Sequence, residues 1–190
     1  MDWGQKNGAD ALFTSPISFG KKEAAGLGSK KMMGIGRKLK DKDPKRSLLF
    51  MQQAIEYRGD DLSKDDIWMF NDMGICLRRE GKIDEAIQYY CKALKLAPTD
   101  SSLLYNIGMA HAENKKYNDA IHYFTKSIEL DMDILHSSST VPYNIGLIYC
   151  KINMFNEADQ MFKIALQVDP TNIKAEQKIN EIKSKTTLPL

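Results

Sequence analysis

From about residue 67 to residue 170 the chain repeats one arrangement of small and large apolar positions rather than a simple alternation. Gly74 is followed by Ala86, Tyr90 and Ala93; Gly108 by Ala120, Phe124 and Ser127; Gly146 by Ala158, Phe162 and Ala165. The first two sets are 34 residues apart and the third follows after 38. Self-similarity near this period predicts stacked helical hairpins. Each glycine lies in an amphipathic helical stretch, where it costs roughly 1 kcal/mol against alanine. Its return at the same place is explained by helix packing too close for a side chain. The large aromatic sits one helical turn beyond the small residue, on the same face, and fills the space between hairpins. Pro98 and Pro170 stand where second helices must stop.

Residues typical of helix ends agree with this division. Thr99 or Asp100, Asn118 and Asn156 are placed to accept from free amides at helix starts. Gly81 and Asn153, with Asn114 as a further candidate, suit left-handed positions after first helices. The additional residues before the third unit fall within 131–140 and read as an extended loop or an overrun of the preceding helix; Pro142 then suits a first helical turn. Residues 171–185 place Ala175, Ile179 and Ile182 on one face, as a helix capping the last hairpin would. Between Pro44 and Arg58, Leu48, Met51 or Gln52, and Ile55 share a helical face. Ser63 is a candidate cap for the first repeat helix.

The repeated set resembles the tetratricopeptide repeat, on the columns quoted above from about 67 to 170. The resemblance implies an all-α, right-handed solenoid of three helical hairpins with a C-terminal capping helix, preceded by a helical segment and a basic tail. The expected divisions are a disordered tail at 1–43, a helix and linker at 44–62, and a repeat domain at 63–186. Within that domain the repeats fall at about 67–100, 101–134 and 139–172. The usual early aromatic is Phe70 in the first unit, weakens to Leu104, and is Pro142 in the third; His111 stands where Leu77 and Tyr149 do, and Met132 replaces the terminal proline.

In the resembling family the first helices line a concave face that takes a segment of another protein. Carried onto this chain, the lining is Trp68, Asn71, Ile75, Arg78 and Arg79 from the first unit. The second gives Ser102, Tyr105, Asn106, Met109 and Glu113, and the third Tyr143, Asn144, Leu147 and Lys151. Ile75, Met109 and Leu147 are equivalent positions and form an apolar stripe, with Trp68, Tyr105 and Tyr143 beside it. The three asparagine amides can both donate to and accept from a peptide backbone. Packing within the domain is the competing explanation of the stripe. Relatives that clamp a terminal carboxylate use Lys, Asn and Arg. Here Asn106 matches one such position, but the cationic positions of the third unit fall on Thr140 and Asn144, and the first unit offers Asn71 and Ile75, which removes the charge-assisted bonds. The expected ligand is an apolar or amphipathic segment.

Charge divides the chain. Residues 1–46 carry 11 Lys and Arg against 5 Asp and Glu, and the remainder 16 against 20, giving the net +2 of the whole. Scattered apolar points (Phe13, Ile17, Phe19, Leu27) in this basic, glycine-containing stretch predict disorder to about residue 43, and suggest a tail able to occupy the groove. Gly26–Lys31 has glycines and lysines but no preceding strand, which argues against a phosphate loop. Cys76, Cys91 and Cys150 form no close pair and read as packed thiols of a reducing, cytoplasmic compartment. No histidine is spaced as a metal ligand, no nucleophile motif occurs, and no apolar run approaches the ~20 residues of a membrane span.

The sequence therefore predicts a non-enzymatic adaptor that needs no cofactor or metal, with a protein as partner and neither nucleic acid nor membrane expected. Its repeats are similar to those linked to bacterial response regulators, which implies signalling or assembly. The alternative is a type III secretion translocator chaperone, similar in size and layout, although such chaperones are acidic and this chain has a pI near 8.3.

Overall fold

The computed structural model describes residues 23–58 and 63–186, and every regular element among them is helical. In chain order these are α1 (Glu23–Leu39), α2 (Pro44–Arg58), α3 (Ile67–Arg79), α4 (Ile83–Leu96), α5 (Ser101–Glu113), α6 (Tyr117–Leu130), α7 (Thr140–Lys151), α8 (Phe155–Val168) and α9 (Ile173–Thr186). Successive helices pair as antiparallel hairpins, α1 with α2 through α7 with α8, and α9 packs on α8. The architecture is an all-α helical-repeat solenoid.

The glycine column explains how the hairpins close. A Cβ on Gly108 would lie 2.6 Å from Cδ1 of Phe124, and one on Gly146 would lie 2.7 Å from Cε1 of Phe162; one on Gly74 would fall onto the Tyr90 ring. All three rings are at most 1% exposed, and Ala86, Ala120 and Ala158 beside them are fully buried. The ring of the second helix thus occupies the place where a side chain on the first would be. Close packing of this kind stabilises through many small dispersion contacts and tolerates no added volume.

The same device appears once more, where the sequence suggests disorder. Residues 23–39 form α1, and a Cβ on Gly36 would lie 2.8 Å from Cγ of Met51 and 3.1 Å from the Ser47 carbonyl oxygen. Ser47, Met51 and Ala54 are each fully buried. The Ser47 hydroxyl donates to the Gly36 carbonyl at 2.7 Å, and the Ser29 hydroxyl to the Ala54 carbonyl at 3.0 Å. α1 and α2 are therefore a further hairpin, and the expected disorder fails over 23–39: apolar density is low there, but one narrow face, with Met33 on it, packs. Gly26–Lys31 is helix rather than a phosphate-binding loop. Phe13, Ile17 and Phe19 lie outside the described residues, as does the side chain of Leu27.

Other local expectations divide. Asp100 caps α5, its carboxylate accepting from the Leu103 amide at 3.1 Å. Asn118 and Asn156 do not cap; each is the second residue of its helix, after Tyr117 and Phe155. Gly81 and Asn153 are left-handed, at φ 76° and 61°, but Asn114 is not. Lys115 takes that role at φ 59°, leaving the Asn114 amide to donate to Asp84 at 3.0 Å. Ser63 precedes a 3-10 turn, Lys64–Asp66, that leads into α3. The segment before α7 is neither extended nor an overrun. Asp131 caps a 3-10 turn, Met132–Leu135, that buries Ile134 and Leu135 against Ala112, Ala120, Phe124 and Ile145.

His111 packs its ring flat on Tyr123, centroids 5.2 Å apart, with Nδ1 3.8 Å from Asp119. Burial holds this imidazole below its ordinary value; Asp119 and Asp84 oppose that shift and Lys116 adds to it. The folded state then binds the proton less well than the unfolded chain. The contribution is complete above the ordinary value of about 6.5 and is lost as pH falls from there through the folded value. Wild type is expected to lose more stability than His111→Phe between about pH 7.5 and 5.5, measured as urea midpoints. Equal losses would show that His111 is not the titrating group.

Candidate functional site

The first helices of the hairpins stand in one row, and contacts between them show their register. The Asn106 amide of α5 donates to Oδ1 of Asn71 on α3 at 2.8 Å, and the Asn144 amide of α7 donates to the Tyr105 hydroxyl on α5 at 3.0 Å. In both, the residue three before a repeat glycine accepts from the residue two before the next one. At the other end of the helices, Arg78 Nε lies 3.2 Å from Glu113 Oε1. The row continues into α1, where the Arg37 guanidinium sits 5.0 Å from the Trp68 ring centroid and Lys40 pairs with the nearly buried Asp72 at 2.8 Å. Arg79 reaches back to the Lys40 carbonyl and to Asp41, both at 2.9 Å.

All fourteen residues expected along this face are solvent-accessible: Arg79, Ser102, Glu113 and Lys151 are exposed, and the other ten are half-buried. The structure brings them together in pairs across repeat boundaries rather than as independent side chains. Trp68 is engaged by α1, so its expected ligand contact is taken up by packing within the chain. Ile75, Met109 and Leu147 each pack partly on the core of their own hairpins while keeping one side open. Tyr105 and Tyr143 lean on the interior rings Phe124 and Phe162, at centroid distances of 5.5 and 5.6 Å. Burial pushes the Tyr105 phenol up, against the hydrogen bond from Asn144 and the charge of Arg78. Asn71 and Asn106 spend one acceptor and one donor on each other, which leaves the remaining amide hydrogens and the Asn106 carbonyl oxygen uncommitted by that bond.

Beyond Leu147 and Lys151 the face ends in a pocket of about 240 Å³, enclosed by α7, the start of α8, and α9. Its lining includes Cys150, Phe155, Lys178, Glu181, Ile182 and Lys185, none of which the sequence reading assigns to a site. The available signal is that α9 continues the row: Lys178 falls where Asn144 would be one repeat later. The Lys178 ammonium donates to Glu181 at 2.7 Å, a bond that raises it above the ordinary lysine value; burial works the other way, and Glu181's charge, Tyr143 and Cys150 add to the rise. Among the described residues no group of three or more His, Cys, Asp or Glu is placed to hold a metal ion. Burial raises all three thiols, the largest cause in each, so none is primed as a nucleophile.

Comparison with known proteins agrees with this fold. A tetratricopeptide repeat model matches residues 101–131, and a TPR repeat model matches 76–115. Residues 76–131 carry tetratricopeptide repeats. The chain's TPR array is similar to MamA from Desulfovibrio magneticus RS-1, with a TM-score of 0.70, 20% identity and 88% of each chain covered. It is also similar to the first TPR of Spaghetti (RPAP3) bound to an HSP90 peptide, with a TM-score of 0.60 and 20% identity over 68% of this chain and 100% of that one. At these identities the likeness concerns the fold. The Photosystem I assembly protein Ycf3 of Rippkaea orientalis is 39% identical over 61 residues, 30% of this chain and 35% of that protein. The TPR protein spans about a third or less of the curated relatives it matches. No helix among the described residues is long and apolar enough to cross a membrane.

Proposed function

We propose that this TPR protein is a cytoplasmic interaction adaptor that receives an apolar or amphipathic segment of another protein along α3, α5 and α7, and acts by binding rather than by catalysis. The observation that carries the reading is the accessible stripe of Ile75, Met109 and Leu147 flanked by the half-buried amides of Asn71 and Asn106, which matches apolar side chains alternating with a peptide backbone. The peptide held by the similar RPAP3 domain supports the use of such a face. Arg78 is already paired with Glu113, which fits a ligand without a clamped terminal carboxylate. The assembly role of the similar Ycf3 favours complex assembly over signalling within this reading. No observation favours the secretion-chaperone alternative over it.

Affinity for one short segment is expected to be micromolar, about −8 kcal/mol. Tyr105 and Tyr143 support interior rings, so their truncation would confound folding with binding. A photo-crosslinking residue at exposed Ser102 avoids this. It should capture the partner segment, whereas the same residue at exposed Lys126 on α6 should not. Ser102→Arg should weaken binding by about tenfold at an unchanged denaturation midpoint. Equal crosslinking from both positions would place the partner elsewhere.

A further inference from the structure

The pocket at the C-terminal end of the face has a divided character. Its floor is apolar: Leu147, Cys150 and Phe155 are half-buried and Ile182 is 7% exposed. Its rim is cationic, with Lys151 and Lys185 exposed and Lys178 half-buried, against the single carboxylate of Glu181. Glu181 is bound to Lys178 at 2.7 Å. Neither Lys151 nor Lys185 has a carboxylate partner among the described residues; Lys185 instead lies 6.0 Å from the Phe155 ring centroid. All three ammonium groups act on the Cys150 thiol, each favouring its ionised form, though burial outweighs them and the thiol is raised overall. They therefore converge on one small volume.

We propose that this pocket is an anchor site for one apolar side chain of the partner segment, flanked in sequence by Asp or Glu whose carboxylates meet Lys151 and Lys185. The inference rests on the adaptor reading above and specifies the chemistry of the segment at one end. A volume of about 240 Å³ takes a single leucine- or phenylalanine-sized group, not a helix or a folded surface. The floor offers a thiol and hydrocarbon, so a carboxylate does not belong there; the exposed donors of the lining, Lys151, Asn153 and Lys185, stand where side chains neighbouring the anchor pass. That arrangement selects an acidic side chain beside the anchor rather than a chain terminus inserted into the pocket. Desolvated apolar contact supplies the affinity, and the rim charges orient the segment and raise its rate of capture.

The test is selection from a library of short displayed segments, fused at both ends so that none has a free carboxyl terminus, on the full chain. Selected segments should carry an aliphatic or aromatic residue within two positions of Asp or Glu. Their affinity should fall by about tenfold for Lys151→Glu/Lys185→Glu, and return when the acids of the segment are replaced by lysine. Both positions are exposed, and an unchanged denaturation midpoint confirms that the variant is folded. Segments without acids, or with affinity unaltered by the charge reversal, overturn the pocket. If these are weakened by Ser102→Arg, the adaptor face stands and only the pocket falls. If no segment is selected, or binding ignores both variants, both readings fall together.

Discussion

Phe124→Ala is expected to destabilise the array by about 3–5 kcal/mol, a downward shift of roughly 10 °C in the thermal midpoint. The ring is 1% exposed, covers Gly108, and supports the ring of Tyr105. Truncation leaves a cavity that its neighbours cannot close, because Gly108 has no side chain to move in and Ala120 is already fully buried. Chemical denaturation followed by circular dichroism measures the loss. A complementary variant sharpens it: Gly108→Ala alone should overpack the ring by about 1–3 kcal/mol, and a smaller partner in Phe124→Leu should recover part of that. A loss below about 1 kcal/mol for Phe124→Ala would mean that the ring is not the keystone of its hairpin.

Deleting residues 1–39 should cost about 3 kcal/mol or more relative to a chain beginning at residue 23, and should increase binding of a hydrophobic dye. The longer deletion removes α1 with Met33 and Gly36, and uncovers Ser47, Met51 and Ala54 on α2, all fully buried in the intact hairpin. It also strips Arg37 from the face of Trp68. A leader that merely confers solubility would leave the midpoint unchanged and the dye unbound. Calorimetry on the two chains separates these cases.

The three central hairpins were readable because their small–large–small columns keep a fixed phase, and close helix packing at the glycines followed from it; that the ring of the same hairpin, rather than one filling the space between hairpins, lies where a Cβ would be was shown by the structure. α1 was hidden for a definite reason. In the first hairpin Ser47, Met51 and Ala54 follow Gly36 one residue sooner than Ala86, Tyr90 and Ala93 follow Gly74. Serine and methionine also stand where alanine and an aromatic recur, so column matching passes over them. Lys115 illustrates another limit: left-handed backbone attaches by preference to glycine or asparagine, and the neighbouring Asn114 drew the assignment. On the candidate face the sequence indicated which side chains share a side. It could not show that Asn71 and Asn106 bond each other, since that depends on the stagger between repeats. Nor could it show the pocket, which exists only because α9 extends the row by one helix.

The core is divided into three clusters strung along the chain: one spans α1 to α5, the next joins α5 to α8 through the 3-10 turn, and the last is shared by α7, α8 and α9. Among the described residues the first holds fifteen buried side chains, and the second and the last six each. In a quasi-one-dimensional array each unit is secured by its neighbours, and among the described residues α9 packs chiefly on α8. The hairpins beyond the first cluster, which bury fewer side chains, are therefore expected to open at a lower free energy than it does. The proposed interaction face is then graded in rigidity, firmer along α3 than along α7, so a segment docking there would meet a fixed template at one end and an adaptable clasp at the other.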